Sequence, residues 1–202
     1  MANFNLTQFQ AEVLGGTSLA RTNRFEVLIN PPASLVNHGS LVSLYVEQTN
    51  FPMLTVGAKP FRIHNSPVEQ RPSAIEHGGE GIMFNVHLDA AMEIKRFFDN
   101  WIYLIIKKDN FLVNYANNYM TSILIRQLDE QDNITYEVEL IDAFPRNVNL
   151  IPLDHNAVNQ THKLNVLIAY RYWRETLSSQ PIDVPLPIQH PQVPRTDNRT
   201  FL

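Results

Sequence analysis

The stretch "TSILIRQLDEQDNITYEVEL", residues 121–140, decides the fold class of this 202-residue chain. In its second half apolar and polar residues alternate, which is typical of a strand with one buried face. The apolar members are Ile134, Tyr136, Val138 and Leu140. The first half is a second apolar segment, and the turn-forming residues "DEQDN" separate the two. The stretch therefore predicts an antiparallel β-hairpin.

Three more segments show the same alternation, so we expect them to be strands of the same kind. Their apolar faces are Phe25, Val27 and Ile29; Ile82, Phe84, Val86 and Leu88; and Leu164, Val166, Ile168, Tyr170 and Tyr172. A weaker strand signal, "LVSLYVEQ", begins at Leu41. The chain is therefore predicted to be mainly β.

One stretch, "DAAMEIKRFFDNWIYLII" at residues 89–106, has helical periodicity. Its large apolar residues recur three and four positions apart, which gives a helix at about residues 90–106 one apolar face, with Asp89 as the N-cap. Those residues are Ile94, Phe97, Phe98, Trp101, Leu104 and Ile105. The sheet is the simplest cover for such a face. We therefore predict a mainly β (α+β) fold, an antiparallel β-sandwich or barrel body with one packed α-helix.

The segment Leu54–His77 is predicted to be an extended β-hairpin arm, because two extended stretches flank "HNSP". Prolines and Gly57 interrupt both stretches, and neither has a continuous apolar face. Such a hairpin buries too little area to be stable alone, so we expect it to pack against other subunits of a symmetric oligomer. Its candidate interface residues are Phe61, Arg62, Ile63 and Arg71.

The stretch "IDAFPRNVNLIPLD", residues 141–154, is predicted to be a connector. We expect the hairpin strand to end at Asp142–Ala143, because Pro145 fixes a bend and Pro152 blocks further ladder growth. Its apolar residues indicate that it lies on the body as an ordinary buried loop or on a neighbouring subunit. The candidate interface residues here are Phe144, Pro145, Arg146, Leu150 and Pro152.

The segment "YRYW", residues 170–173, ends the last predicted strand. Tyr170 and Tyr172 continue the apolar face, so core packing is favoured over stacking on single-stranded nucleic acid. Arg171 and Trp173 point the other way and are candidate subunit-interface residues.

The chain is expected to have three parts: an N-terminal arm at residues 1–20, a β domain at residues 21–175, and an extended tail at residues 176–202. The tail is rich in proline, which suits neither a helix nor a strand ladder. Two interpretations of the tail stay open, a disordered end and a strap along a neighbouring subunit. The strap would use its alternating apolar residues Ile182, Val184, Leu186 and Ile188.

Composition limits the classes of function. Charged residues make up 18% of the chain, a low share that suggests a surface covered by subunit contacts. A net charge of −4 argues against strong electrostatic capture of nucleic acid, and the lack of cysteine excludes disulfides and thiolate metal sites. Neither a membrane-length apolar run nor a signal-peptide pattern is found, so we expect a soluble protein made in a cytoplasm, without membrane insertion.

The polar residues form no motif typical of catalysis or of cofactor binding. The seven histidines show no metal-site spacing, and glycine-rich phosphate or dinucleotide loops are missing, so neither a metal, a cofactor nor enzyme activity is predicted. Glu137 and Glu139 share one strand face. A plain polar face is the favoured interpretation, while an acid–base pair and the lining of an anionic channel stay open.

The order of these parts resembles the tail tube protein family of contractile-tailed bacteriophages and the related tube proteins of contractile injection systems. A strand "NRFEVLI" is followed by the arm "FPMLTVGAKPFRI", a helix centred on "FFDNW", a hairpin leading to "DAFPRNVNLIPLD", and a strand ending in "YRYW". The resemblance covers about residues 21–173, and its most specific parts are Asp142–Asp154 and Ala169–Trp173.

The resemblance implies a structural virion protein of the phage tail, assembled in the host cytoplasm. Such proteins form hexameric rings with a shared inner β-barrel, and the rings stack into a hollow tube inside a contractile sheath. The implied partners are further copies of the chain, the sheath and baseplate, and the tape-measure or tail-terminator proteins, with DNA only in transit. Candidate lumen-facing residues are Glu69, Glu137 and Glu139, and we expect the lumen to avoid Lys and Arg, which bind phosphate.

Two features depart from the family pattern: the tail after Trp173 and the insert "KKDNFLVNYANNYM" at residues 107–120. They keep open a baseplate-proximal tube initiator ring of the same fold, with the main tube subunit favoured. A remoter alternative is a ligand-binding β-sandwich that uses Trp173 and Tyr45.

Overall fold

Nine strands form the framework of the chain in the computed structural model, which describes residues 19–62, 68–158 and 160–177. They are β1 (Phe25–Ile29), β2 (Val46–Gln48), β3 (Thr55–Phe61), β4 (Glu69–Glu76), β5 (Ile82–His87), β6 (Thr121–Leu128), β7 (Ile134–Val148), β8 (Lys163–Ala169) and β9 (Tyr172–Glu175). The helical elements are a 3₁₀ helix (Ala33–His38), α1 (Gly39–Leu44), α2 (Glu93–Ile105) and α3 (Ala116–Tyr119).

All strand pairs in the described residues are antiparallel. Six strands follow the order β1-β6-β7-β8-β5-β2, β9 pairs with β7, and β3 and β4 form a separate two-stranded sheet. The first part of β7 pairs with β6 and β9, and its last part pairs with β8. The main sheet therefore forms a barrel-like body with two halves, sheet A (β1-β6-β7-β9) and sheet B (β7-β8-β5-β2). The predicted antiparallel, mainly β fold is confirmed.

The predicted hairpin is β6 and β7, with Arg126 directly opposite Glu137. Its turn is held by Asp129, whose Oδ1 accepts hydrogen bonds from the N–H groups of Gln131 and Asn133 at 2.7 and 2.8 Å. Side-chain and backbone bonds from Asn133 lower the pKa of Asp129. The turn therefore fixes the register that places the charged side chains of both strands side by side.

The structure corrects the prediction that the hairpin strand ends at Asp142–Ala143. β7 continues through Pro145 to Val148. Asp142 has a φ of 55°, and the register shifts between Pro145 and Asn147, so the strand bends as it passes from sheet A to sheet B. The first residue of β6, Thr121, lies opposite Ala143, so β7 has no β6 partner beyond Ala143. The last part of β7 therefore pairs with β8 only, and a proline is tolerated in such an edge.

The predicted helix is confirmed as α2, but it begins at Glu93 rather than near Ala90. Met92, with a φ of 57°, precedes the first turn. Asp89 caps the helix from further upstream, because its carboxylate accepts the N–H groups of Ile94 and Glu93 at 3.1 Å each. The bond from Ile94 is the main cause of the lowered pKa of Asp89.

The apolar face of α2 lies in the core. Trp101 is fully buried and donates its Nε1–H to the carbonyl oxygen of Tyr119 at 2.8 Å, which ties α2 to α3. The buried side chains of the helix join those of both sheets in one cluster. They are Ile94, Phe97, Phe98 and Trp101 from α2, with Val27, Ile29, Ile82, Phe84, Val86, Ile123, Ile125, Val138, Leu140, Leu164, Val166 and Ile168 from the strands. These residues confirm most of the predicted apolar faces, but Ile134 at the start of β7, which was predicted to share the face of Val138 and Leu140, is 39% exposed.

The prediction of one strand in "LVSLYVEQ" is wrong, because only Val46–Gln48 is a strand and Gly39–Leu44 is α1. In the helical form Val42 is fully buried, and Ser43 Oγ accepts the N–H of Ile29 at 3.0 Å. The segment thus adds a buried side chain to the core and also supplies a hydrogen-bond acceptor for a backbone N–H group of β1. The described chain therefore has further short helical elements besides the one that was predicted.

The predicted strand that ends in "YRYW" is divided, since β8 ends at Ala169 and β9 begins at Tyr172. Tyr170 packs against the core, but Tyr172 is 39% exposed. The prediction that Tyr172 continues the buried face is wrong. Tyr172 is exposed because the chain turns a corner at Tyr170–Arg171, opposite the bend at Asp142. At this corner the chain leaves sheet B for sheet A.

The predicted arm is present as β3 and β4, which pair with each other from Thr55↔Glu76 to Phe61↔Glu69. Among the described strands neither pairs with any other, so the arm forms its own sheet. Residues 63–67, among them the candidate Ile63, lie outside the described residues. Within those residues no helix combines the length and the apolar character needed to cross a membrane.

Candidate assembly surfaces

The first candidate surface is the side of sheet A that points away from the core. Side chains alternate along a strand, so the burial of Val138 and Leu140 puts Glu137 and Glu139 on this outer side. The register adds three more charged residues beside them. We call the set the charged face: Glu26 of β1, Arg126 of β6, Glu137 and Glu139 of β7, and Arg174 of β9.

Both arginines of the charged face contact carboxylates. Arg126 Nε binds Glu137 Oε2, and Arg126 Nη1 lies 3.2 Å from Glu26 Oε2. Arg174 Nη2 lies 2.7 Å from Glu139 Oε2. The side chains of Glu137 and Glu139 are only 12% and 17% exposed. The carboxylates therefore lie against their partners instead of projecting into solvent.

The pKa values follow from these contacts. The hydroxyl of Thr176, which donates to Glu137 Oε1, and then the Arg126 guanidinium hold the pKa of Glu137 below its ordinary value. Glu137 in turn raises the pKa of Arg126, and Glu139 raises the pKa of Arg174. The contacts favour charged, paired side chains, whereas an acid–base pair needs two carboxylates in contrasting environments.

The second candidate surface consists of the two edges of sheet A. β1 pairs only with β6, and β9 pairs only with β7, among the strands that the structure describes. Each neighbouring pair in the order β1-β6-β7-β9 is antiparallel, so β1 and β9 run in opposite directions. Exposed edges of this kind are templates for pairing with another chain.

The arm is the third candidate surface. Arg71 lies over the ring of Phe61, with Cζ 3.8 Å from the ring centroid, so two of the predicted interface residues contact each other across the hairpin. Arg62 is exposed directly after β3. The cross-strand pair Val56 and Ile75 leaves both side chains more than half exposed. Glu69 takes part in β4, and the structure describes its backbone only.

Trp173 anchors the base of this arm to β9. Its Nε1–H donates to the carbonyl oxygen of Met53, at 3.3 Å, just before β3. Its ring meets the ring of His77, just after β4, edge to face with centroids 6.1 Å apart. Trp173 thus already has partners within the chain. Tyr45, the other aromatic considered for ligand binding, packs against the core.

The candidate interface residues of "IDAFPRNVNLIPLD", and Arg171 at the corner between β8 and β9, differ in how far they are buried. Pro145 is buried, and the ring of Phe144 contacts that of Tyr119 with centroids 5.6 Å apart. Leu150 is 86% exposed. Arg171 is exposed and its Nη1 lies 3.3 Å from Asp142 Oδ2. Arg146 and Pro152 are exposed as well. Phe144 and Pro145 therefore contribute to the body of the chain, while the exposed members are accessible to a neighbour.

One surface was not predicted as an interface by any residue pattern. The loop from Ile106 to Tyr115 exposes several large apolar side chains. They are Ile106, Phe111, Leu112, Val113 and Tyr115. The signal in the sequence was the apolar content of the insert "KKDNFLVNYANNYM", which was noted only as a departure from the family pattern. Among the described residues, no group of three or more His, Asp or Glu is placed to hold a metal ion.

The family model of the phage tail tube protein matches residues 20–176 of this chain. No curated protein sequence matches this chain. Among solved structures, a chain of the anti-feeding prophage baseplate, six-fold symmetrised, is 15% identical with a TM-score of 0.57, over 79% of this chain and 97% of that one.

Two further solved structures are similar. A chain of the extended sheath–tube complex of an extracellular contractile injection system (PVC) is 12% identical with a TM-score of 0.55, over 86% of this chain and 100% of that one. A chain of the tube-terminating cap of the anti-feeding prophage is 10% identical with a TM-score of 0.57, over 79% and 92%. At these identities the likeness shows a shared fold.

Proposed function

The chain belongs to the phage tail tube protein family, and we propose that it is the main tube subunit, whose hexameric rings stack into the conduit for DNA inside a contractile sheath. Family membership supports a structural component of a phage tail. The observation that carries the finer assignment is the pair of edge strands of sheet A, β1 and β9, which run in opposite directions and have no second strand partner among the described residues.

The two edges are complementary in direction. When copies are arranged around an axis, β9 of one copy meets β1 of the next as an antiparallel pair. Six copies of the four-stranded sheet A then form one closed, wholly antiparallel barrel. Closure pairs both edges of sheet A, which turns an aggregation liability into the ring contact.

In such a ring the charged face lines the lumen, with Glu137 and Glu139 among the lining residues, and Glu69 stays a further candidate. Contrary to expectation, this lining contains two arginines, Arg126 and Arg174. Both are paired with carboxylates, and the face carries three negative groups against two positive ones. Paired arginines offer little to a passing phosphate, so the arrangement supports transit of DNA without capture.

The arm is proposed to join rings. It pairs with no described strand of the body and exposes apolar and basic side chains, including Phe61 and Arg71. A sheet of two strands needs additional contacts for stability. A subunit of the adjacent ring supplies them, and Arg62 and Ile63 stay candidate residues for this contact. The sheath, the baseplate and the tape-measure or terminator proteins are the proposed partners outside the tube.

Electron microscopy of the purified chain tests the proposal. We expect six-fold rings with a central channel at high protein concentration, and short stacks of such rings. A protein that stays monomeric at every concentration, and that is missing from purified virions, would refute the assignment.

A second candidate is the tube initiator at the baseplate, favoured by the structural likeness to a chain of the anti-feeding prophage baseplate. The two roles differ in copy number. A main tube subunit is as abundant in the virion as the sheath protein, whereas an initiator is present in one or two rings. Quantitative mass spectrometry of purified virions, with the sheath protein as the internal reference, separates them.

A further inference from the structure

The loop Ile106–Tyr115 is an ordered projection. Ile106 and Val113 form a β-bridge, the N–H of Lys107 donates to the carbonyl of Leu112 at 3.2 Å, and the N–H of Phe111 donates to the carbonyl of Lys107 at 3.0 Å. These bonds close a small hairpin directly after α2. We call it the apolar knob.

The knob is fastened to α2 at its other end as well. The backbone N–H of Asn114 donates to Ile105 at 2.8 Å, and its side-chain Nδ2 donates to the carbonyl of Leu104 at 3.1 Å. Both bonds are made to the last turn of the helix, whose carbonyls otherwise lack partners. The knob therefore has a fixed position relative to the core.

The tip of the knob presents an aromatic ring in an uncommon backbone conformation. Phe111 has a φ of 54°, and its side chain is 79% exposed. Leu112 beside it is 62% exposed. A non-glycine residue in the left-handed region persists where surrounding bonds enforce it, and such sites cluster at functional surfaces. Two lysines, Lys107 and Lys108, flank the tip, and Lys108 Nζ lies 3.6 Å from the centroid of the Tyr103 ring.

A cleft with an apolar lining, like the exposed surface of the knob, lies at the base of the arm. It has a volume of about 450 Å³ and is lined by apolar residues and a glycine-rich loop, among them Phe51, Met53, Gly79, Met83 and Tyr170. Glu80 adds an exposed carboxylate at the same cleft. A Cβ at Gly79 would meet no atom, so the loop leaves this wall open.

We propose that the apolar knob of one copy inserts into this arm-base cleft of another copy, with Phe111 and Leu112 in the cleft and Lys107 beside Glu80. Apolar residues are exposed on both surfaces, and Lys107 of the knob and Glu80 of the cleft carry opposite charges. The two surfaces differ, so the contact is heterologous and repeats from copy to copy, as a ring or a stack requires. The inference rests on the proposed function in so far as both need copies of the chain to assemble.

Photocrosslinking locates the occupant of the cleft. p-Benzoylphenylalanine replaces Phe111, and isotopically light and heavy copies are mixed before irradiation. We expect crosslinks from one copy to peptides of another that contain Phe51–Met53 or Glu80–Met83. The same probe at Leu153, which is 81% exposed on a different loop, is the control and should not reach the cleft.

Variants test the energetics of the same contact. Phe111→Ser should weaken self-association at least about tenfold in sedimentation experiments, whereas Val158→Ser, at an equally exposed position, should not. Lys107→Glu should also weaken association, and adding Glu80→Lys should restore it.

Assembly of the wild type with Phe111 crosslinked elsewhere, or only to a different protein of the virion, would overturn the inference and leave the proposed function intact. Unchanged association of Phe111→Ser would do the same. A wild type that never assembles contradicts both.

Discussion

Glu137 and Arg126 hold opposite charges in contact on the outer side of sheet A. Arg126 Nε binds Glu137, and the Thr176 hydroxyl donates to the other oxygen of the same carboxylate. Both side chains of the ion pair are less than one quarter exposed. A pair that is largely shielded from water keeps more of its interaction than one on an open surface. The pair therefore links β6 and β7 in addition to setting the charge of the face.

Replacing Glu137 tests this link. Glu137→Gln should lower the free energy of unfolding by about 1–2 kcal/mol, because Arg126 loses the closer and less exposed of its two carboxylate partners. Glu26→Gln is the matched control, since Glu26 contacts the same guanidinium from a more exposed position, and its cost should be about 0.5 kcal/mol or less. Both free energies of unfolding are measured in urea titrations. Equal losses in the two variants would show that burial of the Arg126–Glu137 pair does not add to stability.

Acid should remove the contribution of Glu137. Its pKa is lowered in the folded chain, so its stabilisation is complete above the ordinary carboxyl pKa and is lost as pH falls through the lower folded value. The difference in unfolding free energy between wild type and Glu137→Gln should therefore be constant near neutral pH and shrink below about pH 4. A difference that stays unchanged down to about pH 3 would contradict the assigned pKa direction.

At the scale of elements, the loop between β4 and β5 determines how the arm leaves the body. Gly78 and Gly81 have positive φ values of 87° and 127°. A Cβ at Gly81 would collide with the carbonyl oxygen of Ile168, whereas one at Gly79 would meet no atom. The close backbone approach at Gly81 brings the chain that returns from the arm onto β8, where it continues as β5.

Alanine substitutions separate the two kinds of glycine. Gly81→Ala should lower the free energy of unfolding by about 2 kcal/mol or more, because both the backbone angle and the contact with Ile168 become unfavourable. Gly79→Ala is the control and should be nearly neutral. Thermal unfolding of both variants provides the measurement, and a neutral Gly81→Ala would refute the close approach.

The elements that could be predicted from the sequence are those with one buried face. Alternation correctly placed β1, β5, β8 and the first part of β7, because alternate side chains of these strands enter the core, and the turn signal placed β6 as the hairpin partner of β7. It did not predict that β7 continues past Pro145, since that depends on β6 ending opposite Ala143 and leaving β7 with a free edge. The pattern also did not distinguish α1 from a strand, because six residues are too few to tell the helical repeat from the strand repeat.

The candidate surfaces were predictable to a smaller extent. The arm and the outward placement of Glu137 and Glu139 follow from local pattern. Arg126 and Glu137 lie at nearly equal distances from the turn Asp129–Asn133, so the hairpin itself indicated their contact. The partners of Trp173 did not follow from any local pattern, because Met53 and His77 are far from it in sequence and meet it only through the fold.

At the scale of the whole molecule, the proposed ring depends on surfaces at the periphery of one folded copy. The core is complete within a single copy, with the apolar faces of both sheets covered by each other and by α2. The incomplete parts are all at the periphery: the edges of sheet A, the arm and the apolar knob. Such a chain can fold first and assemble afterwards, and its pairing edges set the direction in which copies join.

The central claim is that β9 of one copy pairs with β1 of the next in a closed ring of six. The chain has no cysteine, so Glu26→Cys and Arg174→Cys together place one thiol on each edge strand. A short thiol crosslinker applied to the assembled double variant should give a ladder of covalent species that stops at six copies. Each single variant should stay monomeric, because identical positions of neighbouring copies are separated by the width of a four-stranded sheet. A double variant that stops at two copies, or a ladder that passes six without a break, would contradict the account.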